Sequence, residues 1–179
     1  MKDRSPSPGS PLEKIVSGGQ TGVDRAGLDA AREQGFSLGG WCPKGRRAED
    51  GPIPTDYPLQ ETAARSYAVR TRWNVRDSDG TLIVAMTDIT AGTKLTADFA
   101  RRTGRPLQIV LLRPDPGRQL FDGENRLNQI NTVVDWIRHH RIRVLNVAGP
   151  RGSSHADIYD EARSFLCQML QQLAAGATD

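Results

Sequence analysis

The chain predicts a three-layer α/β fold with a mainly parallel sheet of about five strands. Two observations carry that expectation. Short, nearly continuous apolar runs such as Leu82-Ile83-Val84-Ala85 suit strands covered on both faces. These runs alternate with amphipathic stretches through short links, the order that builds a parallel sheet with helices on each side. Strands are expected at Lys14–Ser17, near Ser37–Trp41, and at Thr81–Met86, Leu107–Leu112 and Val144–Val147. Helices are expected at about Val23–Gln34, Leu59–Asn74, Thr93–Arg102, Glu124–His139 and Asp157–Leu173.

A length of 179 residues suits one ligand-binding domain, expected over 12–174. Residues 1–11 are rich in Ser, Pro and Gly and read as a disordered tail. They lack the apolar stretch of a signal peptide, and no run approaches the ~20 apolar residues of a membrane span. Two cysteines, Cys42 and Cys167, form neither a disulfide framework nor a zinc spacing. The expected setting is therefore cytoplasmic and reducing, with no membrane partner. Net charge is only +3 and its arginines are dispersed. Aromatics make up 6% and do not interleave with the basic residues, which disfavours a nucleic-acid track and favours a small anionic ligand.

Ligands of open parallel sheets bind beyond the carboxyl ends of the strands. Three glycine-bearing turns fall at such ends. The first is Gly18-Gly19-Gln20-Thr21-Gly22, between the Ile15-Val16 run and a helix containing Asp24 and Arg25. Glycine permits a tight turn and close backbone approach, and the helix start presents unpaired N–H groups to an anion. Thr21 can donate to an oxyanion or cap the helix. The second turn contains Asp88, Gly92 and Thr93; the third runs Gly149-Pro150-Arg151-Gly152-Ser153-Ser154. A long loop from Gly39 to Pro58 brings Lys44, Gly45, Arg46 and Arg47 toward the same rim. Arginine suits oxyanions through its planar fork, and lysine acts as a point charge.

Other polar residues read as structural. Asp77 and Asp79 precede the Thr81–Met86 strand, at its amino end, and Arg72 and Asn74 suit a turn or a subunit contact. No metal spacing links the three histidines, and Cys42 reads as a bystander thiol rather than a soft metal ligand.

The segments Gly18 to Asp29, Gly40 to Gly51, Arg70 to Thr81 and Asn146 to Arg151 together resemble the molybdenum carrier family. That family is a circularly permuted branch of the Rossmann-like superfamily that includes the lysine-decarboxylase-like nucleotide proteins. The resemblance spans Lys14 to about Leu170. It implies a carrier that holds molybdenum cofactor, with molybdate or another oxyanion as alternatives, that self-associates into a homo-oligomer, and that serves molybdoenzymes as recipients. The expected ligand-binding set is Gly18, Gly19, Gln20, Thr21, Gly22, Arg25, Lys44, Gly45, Arg46, Asp88, Gly92, Thr93, Gly149, Arg151, Ser153 and Ser154, with no catalytic and no metal-ligating residue. The alternative is a nucleotide-binding protein or nucleoside-phosphate hydrolase. The hydrolase relatives carry glutamates after a Gly-Thr pair. Here Leu95 and Thr96 stand where those glutamates would, after Gly92-Thr93-Lys94, and Asp98 is the acid that remains, so binding without turnover is expected.

Overall fold

A computed structural model describes residues 11–89, 91–113 and 122–175. The expected tail, 1–11, lies outside these residues except for Pro11. In chain order the strands are β1 (Lys14–Val16), β2 (Ser37–Gly39), β3 (Trp41–Cys42), β4 (Arg47–Ala48), β5 (Gly51–Pro52), β6 (Gln60–Glu61), β7 (Gly80–Ala85), β8 (Leu107–Leu111) and β9 (Val144–Ala148). The helices are α1 (Val23–Glu33), α2 (Tyr67–Arg76), α3 (Ala91–Arg102), α4 (Asp122–His139) and α5 (Ile158–Ala175).

Five strands form one parallel sheet in the order β2-β1-β9-β7-β8. Taking β9 first and following with β1, β2, β7 and β8 renumbers the sheet 3-2-1-4-5, the order of dinucleotide-binding sheets. The fold is thus Rossmann-like with its first strand moved to the end of the sequence. Helix α1 packs on α5 and α5 on α4, whereas α2 packs on α3, which gives the two outer layers. The main core lies between the sheet and α1, α4 and α5, around Ile15, Leu82, Val84, Val134, Leu145, Val147, Phe165 and Met169. β7, in the sheet interior, is buried at all of its residues, which explains its uninterrupted apolar run.

Two expected elements differ. The strand expected through Trp41 stops at Gly39, because Gly40 takes φ 127° and lies against Ser17, whose carbonyl oxygen would be 2.3 Å from an added Cβ. The helix expected from Leu59 begins at Tyr67. Gln60 and Glu61 instead pair in parallel with Trp41 and Cys42. The stretch between them is ordered around Arg46, whose guanidinium donates to the carbonyls of Ile53, Pro54, Tyr57 and Leu59 at 2.7–3.1 Å. A small second core of Leu28, Cys42, Ile53, Tyr57 and Leu59 fills the space beneath.

Asp29 of α1 joins this loop to α5: it accepts hydrogen bonds from Tyr57 Oη at 3.0 Å and from Tyr159 Oη at 2.8 Å. Burial and the Asp29 charge push Tyr57 up to about 12, and burial and the hydrogen bond to Asp29 push Tyr159 higher still. Both folded values exceed the unfolded value of about 10, so this contribution to stability is complete below pH ~10 and fades as pH rises through the folded values. In a spectrophotometric titration two of the three tyrosines should therefore ionise late, and Asp29→Asn should bring both back toward the ordinary range.

Candidate functional site

The carboxyl ends of β1, β9 and β7 lie side by side; the first and third glycine turns follow β1 and β9, whereas Gly92, expected in a turn after β7, lies inside α3. In the permuted order, β9 and β7 flank the switch point, where ligands of this fold class sit. Gly149, just after β9, is needed there for packing: an added Cβ would be 2.2 Å from the Val84 carbonyl oxygen.

The first and third turns are locked together by backbone. Gly22 has φ 75°, and a Cβ on it would lie 2.5 Å from Pro150 O and 2.7 Å from Gly152 N. The Val23 N–H donates to Pro150 O (3.2 Å), and the Gly152 N–H donates to Thr21 Oγ1 (3.0 Å). Thr21 therefore joins two turns and does not cap α1, whose cap position is Gly22. Gly19 also takes positive φ, 74°, and its missing side chain leaves room for Leu59 and Ile53. The N–H groups of Gly18, Gly19 and Gly22 find no acceptor among the described residues. Buried donors of this kind are rare and mark places where a ligand or water completes the bonding.

Packed against Gly18 is a buried ion pair. Asp24 is 3% exposed and receives Arg70 Nη1 at 3.1 Å and the Gln20 N–H at 3.3 Å. Burial raises the Asp24 carboxyl above its usual range, against the opposing pull of Arg70, the Gln20 amide and Ser17. Arg70, from α2, covers the Gly18 backbone so closely that a Cβ there would be 2.0 Å from Nη1. Its Nε is buried with no hydrogen-bond partner. Ser17 completes the floor by donating to Val147 O at 2.7 Å.

Above the turns lies the β4–β5 hairpin. The Glu49 carboxylate accepts from the Thr21 hydroxyl, from the Ser153 N–H at 3.0 Å and from the Ser153 hydroxyl at 2.6 Å, with Arg151 Nε 3.8 Å away. Partial desolvation pushes the Glu49 carboxyl up, but the Ser153 and Thr21 bonds and the Arg151 charge outweigh it and hold it below its ordinary value. Asp50 forms a two-pronged pair with Arg25 at 2.6 and 2.8 Å. Gln20 Oε1 accepts from the amides of Thr21 (3.0 Å) and Glu49 (2.9 Å).

The structure thus brings Gly18, Gly19, Gln20, Thr21, Gly22, Arg25, Gly149, Arg151 and Ser153 into one connected group. Ser154 adjoins it, its N–H bonded to Arg151 O. Asp88 and Gly92 are exposed beyond β7, and no hydrogen bond among the described residues ties them to that group; Thr93 is buried in the first turn of α3. Lys44 is exposed, the Gly45 N–H donates to Glu61, and Arg46 spends its donors within the loop. Cys42 is fully buried, and burial pushes its thiol up, which disfavours the thiolate a metal would need. Among the described residues no group of three or more His, Cys, Asp or Glu could hold a metal ion, and no helix is long and apolar enough to cross a membrane. Asp98 faces solvent on α3, paired with Arg101 at 3.4 Å. Asn74 clamps the Trp41 backbone, Asp77 accepts from the Trp41 indole, and Asp79 accepts from the Arg143 and Val144 amides, all three tying loops together. Arg70 and Glu49 stand in the matched segments of sequence but carry no local pattern that marks them; contact with Gly18 and with Thr21 reveals them.

Arg70→Met should destabilise the protein by roughly 3–5 kcal/mol, because it strands the buried Asp24 carboxylate. Adding Asp24→Asn should recover most of that loss in denaturant melts. Equal stability of the single and double variants would show that the stranded Asp24 charge is not the source of the loss.

The circularly permutated YpsA SLOG family matches residues 15–170 of this chain. A 1.45 Å crystal structure of a protein from Syntrophus aciditrophicus SB, named putative molybdenum carrier protein, is 39% identical to it. The similarity covers 90% of this chain and 96% of that one, with a TM-score of 0.80. No curated protein matches. The match over nearly the whole described fold, on a sheet whose order is itself a permutation, makes the protein a member of the circularly permutated YpsA SLOG family.

Proposed function

We propose that this protein binds a small phosphate-bearing anion at the rim above β1, β9 and β7, holds it without chemical turnover, and carries molybdenum cofactor as its cargo. The observation that carries the reading is the turn after β1: the Gly18, Gly19 and Gly22 amides find no acceptor among the described residues, and the Arg70 guanidinium, its Nε without a partner, lies against Gly18. A hydrogen bond to an anionic oxygen satisfies such amides at a gain of about 1.5–3 kcal/mol each, and the Arg70 charge close behind Gly18 favours an anion there. The cargo itself is suggested by the name of the 39%-identical relative. In this reading the first and third turns together take the phosphate with Arg151 beside them, while exposed Lys44 meets the more distant oxyanion end. Residue Asp98, turned outward on α3, is poorly placed to act as a hydrolytic base, which supports holding over cleavage. Self-association and transfer to molybdoenzymes belong to the same proposal, as does a reducing cytoplasm, in keeping with two free cysteines.

The test combines native mass spectrometry with metal analysis on protein purified from a cofactor-producing host. Wild type should retain the cofactor and molybdenum. The Asp24→Asn, Arg70→Met double variant, folded but without the guanidinium, should retain at least tenfold less. Incubation with nucleoside monophosphates should release no free base. Base release abolished by Asp98→Asn would replace the carrier with a hydrolase.

A further inference from the structure

The donors that would best receive an oxyanion at the junction of the two turns already hold one. Glu49 lies across the Thr21 hydroxyl and both donors of Ser153, with Arg151 nearby. These are the partners a tetrahedral oxyanion would select, and they come from two segments some 130 residues apart, as the Gly152–Thr21 bond shows. The carboxylate arrives on a hairpin built in two parts. Its base is fixed, because Arg46 grips four carbonyls and Ile53 is buried in the second core. Its tip, Glu49 and Asp50, is exposed, and polar contacts to Thr21, Ser153, Gln20 and Arg25 tether it. Gly51, at φ 116° with nothing within 4 Å of an added Cβ, leaves that tip unpacked.

We propose that Glu49 is a built-in occupant of the anion seat and that the β4–β5 hairpin is a flap which an incoming oxyanion displaces. This inference rests on the binding role proposed for the rim and adds its regulation. A single carboxylate already fits the donors, so a ligand must outcompete it. Phosphate, with more charge and more acceptor oxygens, can do so; a simple monoanion such as chloride or acetate cannot match it. The flap is therefore also a filter. Once displaced, Glu49 leaves Ser153 and Thr21 to the ligand, while the Asp50–Arg25 pair keeps the tip close enough to return.

Inorganic phosphate is the probe, titrated calorimetrically into the full chain. Glu49→Gln keeps the shape but not the charge and should bind phosphate at least tenfold more tightly than wild type. In wild type, saturating phosphate should speed hydrogen exchange at the amides of residues 47–51, a readout that needs no variant. Unchanged or weaker phosphate binding by a folded Glu49→Gln protein overturns the flap, as does unaltered or slower exchange of those amides. Phosphate binding to neither protein, with the cofactor still retained by wild type, overturns the flap and leaves the carrier standing. Loss of both kinds of binding removes the carrier reading itself.

Discussion

The close approach of Gly22 to the Pro150–Gly152 backbone is the constraint on which the rim depends. With main-chain atoms 2.5–2.8 Å from where a Cβ would stand, and φ at 75°, no side chain is accommodated without moving one turn off the other. That contact sets up the Val23–Pro150 and Thr21–Gly152 hydrogen bonds and places Ser153 beside Thr21. The glycine does two things at once: it starts α1 and it lets the turn after β9 lie over that start. A bulkier residue here would disturb the fold before it disturbed any ligand.

Charge is distributed in two tiers below and above this contact. The lower tier, Asp24 with Arg70, is enclosed; it adds little net stability, but removing either partner leaves the other charge buried and uncompensated. The upper tier, Glu49 and Asp50 with their donors, half-buried Arg25 among them, lies at the surface, where each bond is weaker and more readily exchanged for another. A buried layer that stays and a surface layer that can trade partners is a sensible division of labour for a site that must both keep its shape and let something in.

Much of the architecture was legible in the chain because most of the sheet strands are short apolar runs and glycine turns directly succeed β1 and β9. What escaped was tertiary in origin. Gln60 and Glu61 look helical next to the stretch they precede, yet they pair with Trp41 and Cys42 because Gly40 is pressed onto Ser17 and redirects the strand. Arg46 resembles a ligand-seeking cation by its neighbours Lys44 and Arg47, but four nearby carbonyls claim it. Arg70 is one arginine among several on a helix of weak amphipathic pattern, and only its contact with Gly18, fifty-two positions earlier, singles it out. Glu49 likewise acquires meaning from Ser153, at a separation of 104 residues. Local pattern reports the turns; partners so distant in sequence leave no local trace.

The position of β9 has a consequence for how the chain comes together. It is the middle strand of the sheet and the last to be synthesised, and β1 and β7 bond to it rather than to each other. Until residues 144–148 are inserted, β2-β1 and β7-β8 are two separate ribbons, each with a bare edge. Joining them closes contacts across about 130 positions, a separation that slows folding through its loop-closure entropy. A nascent chain emerging at ~5–20 residues per second thus spends several seconds with unpaired edges available to other chains. Assembly of the sheet and completion of the rim are one event, since the strand that joins the ribbons is also the one that carries Gly149 and Ser153 into place.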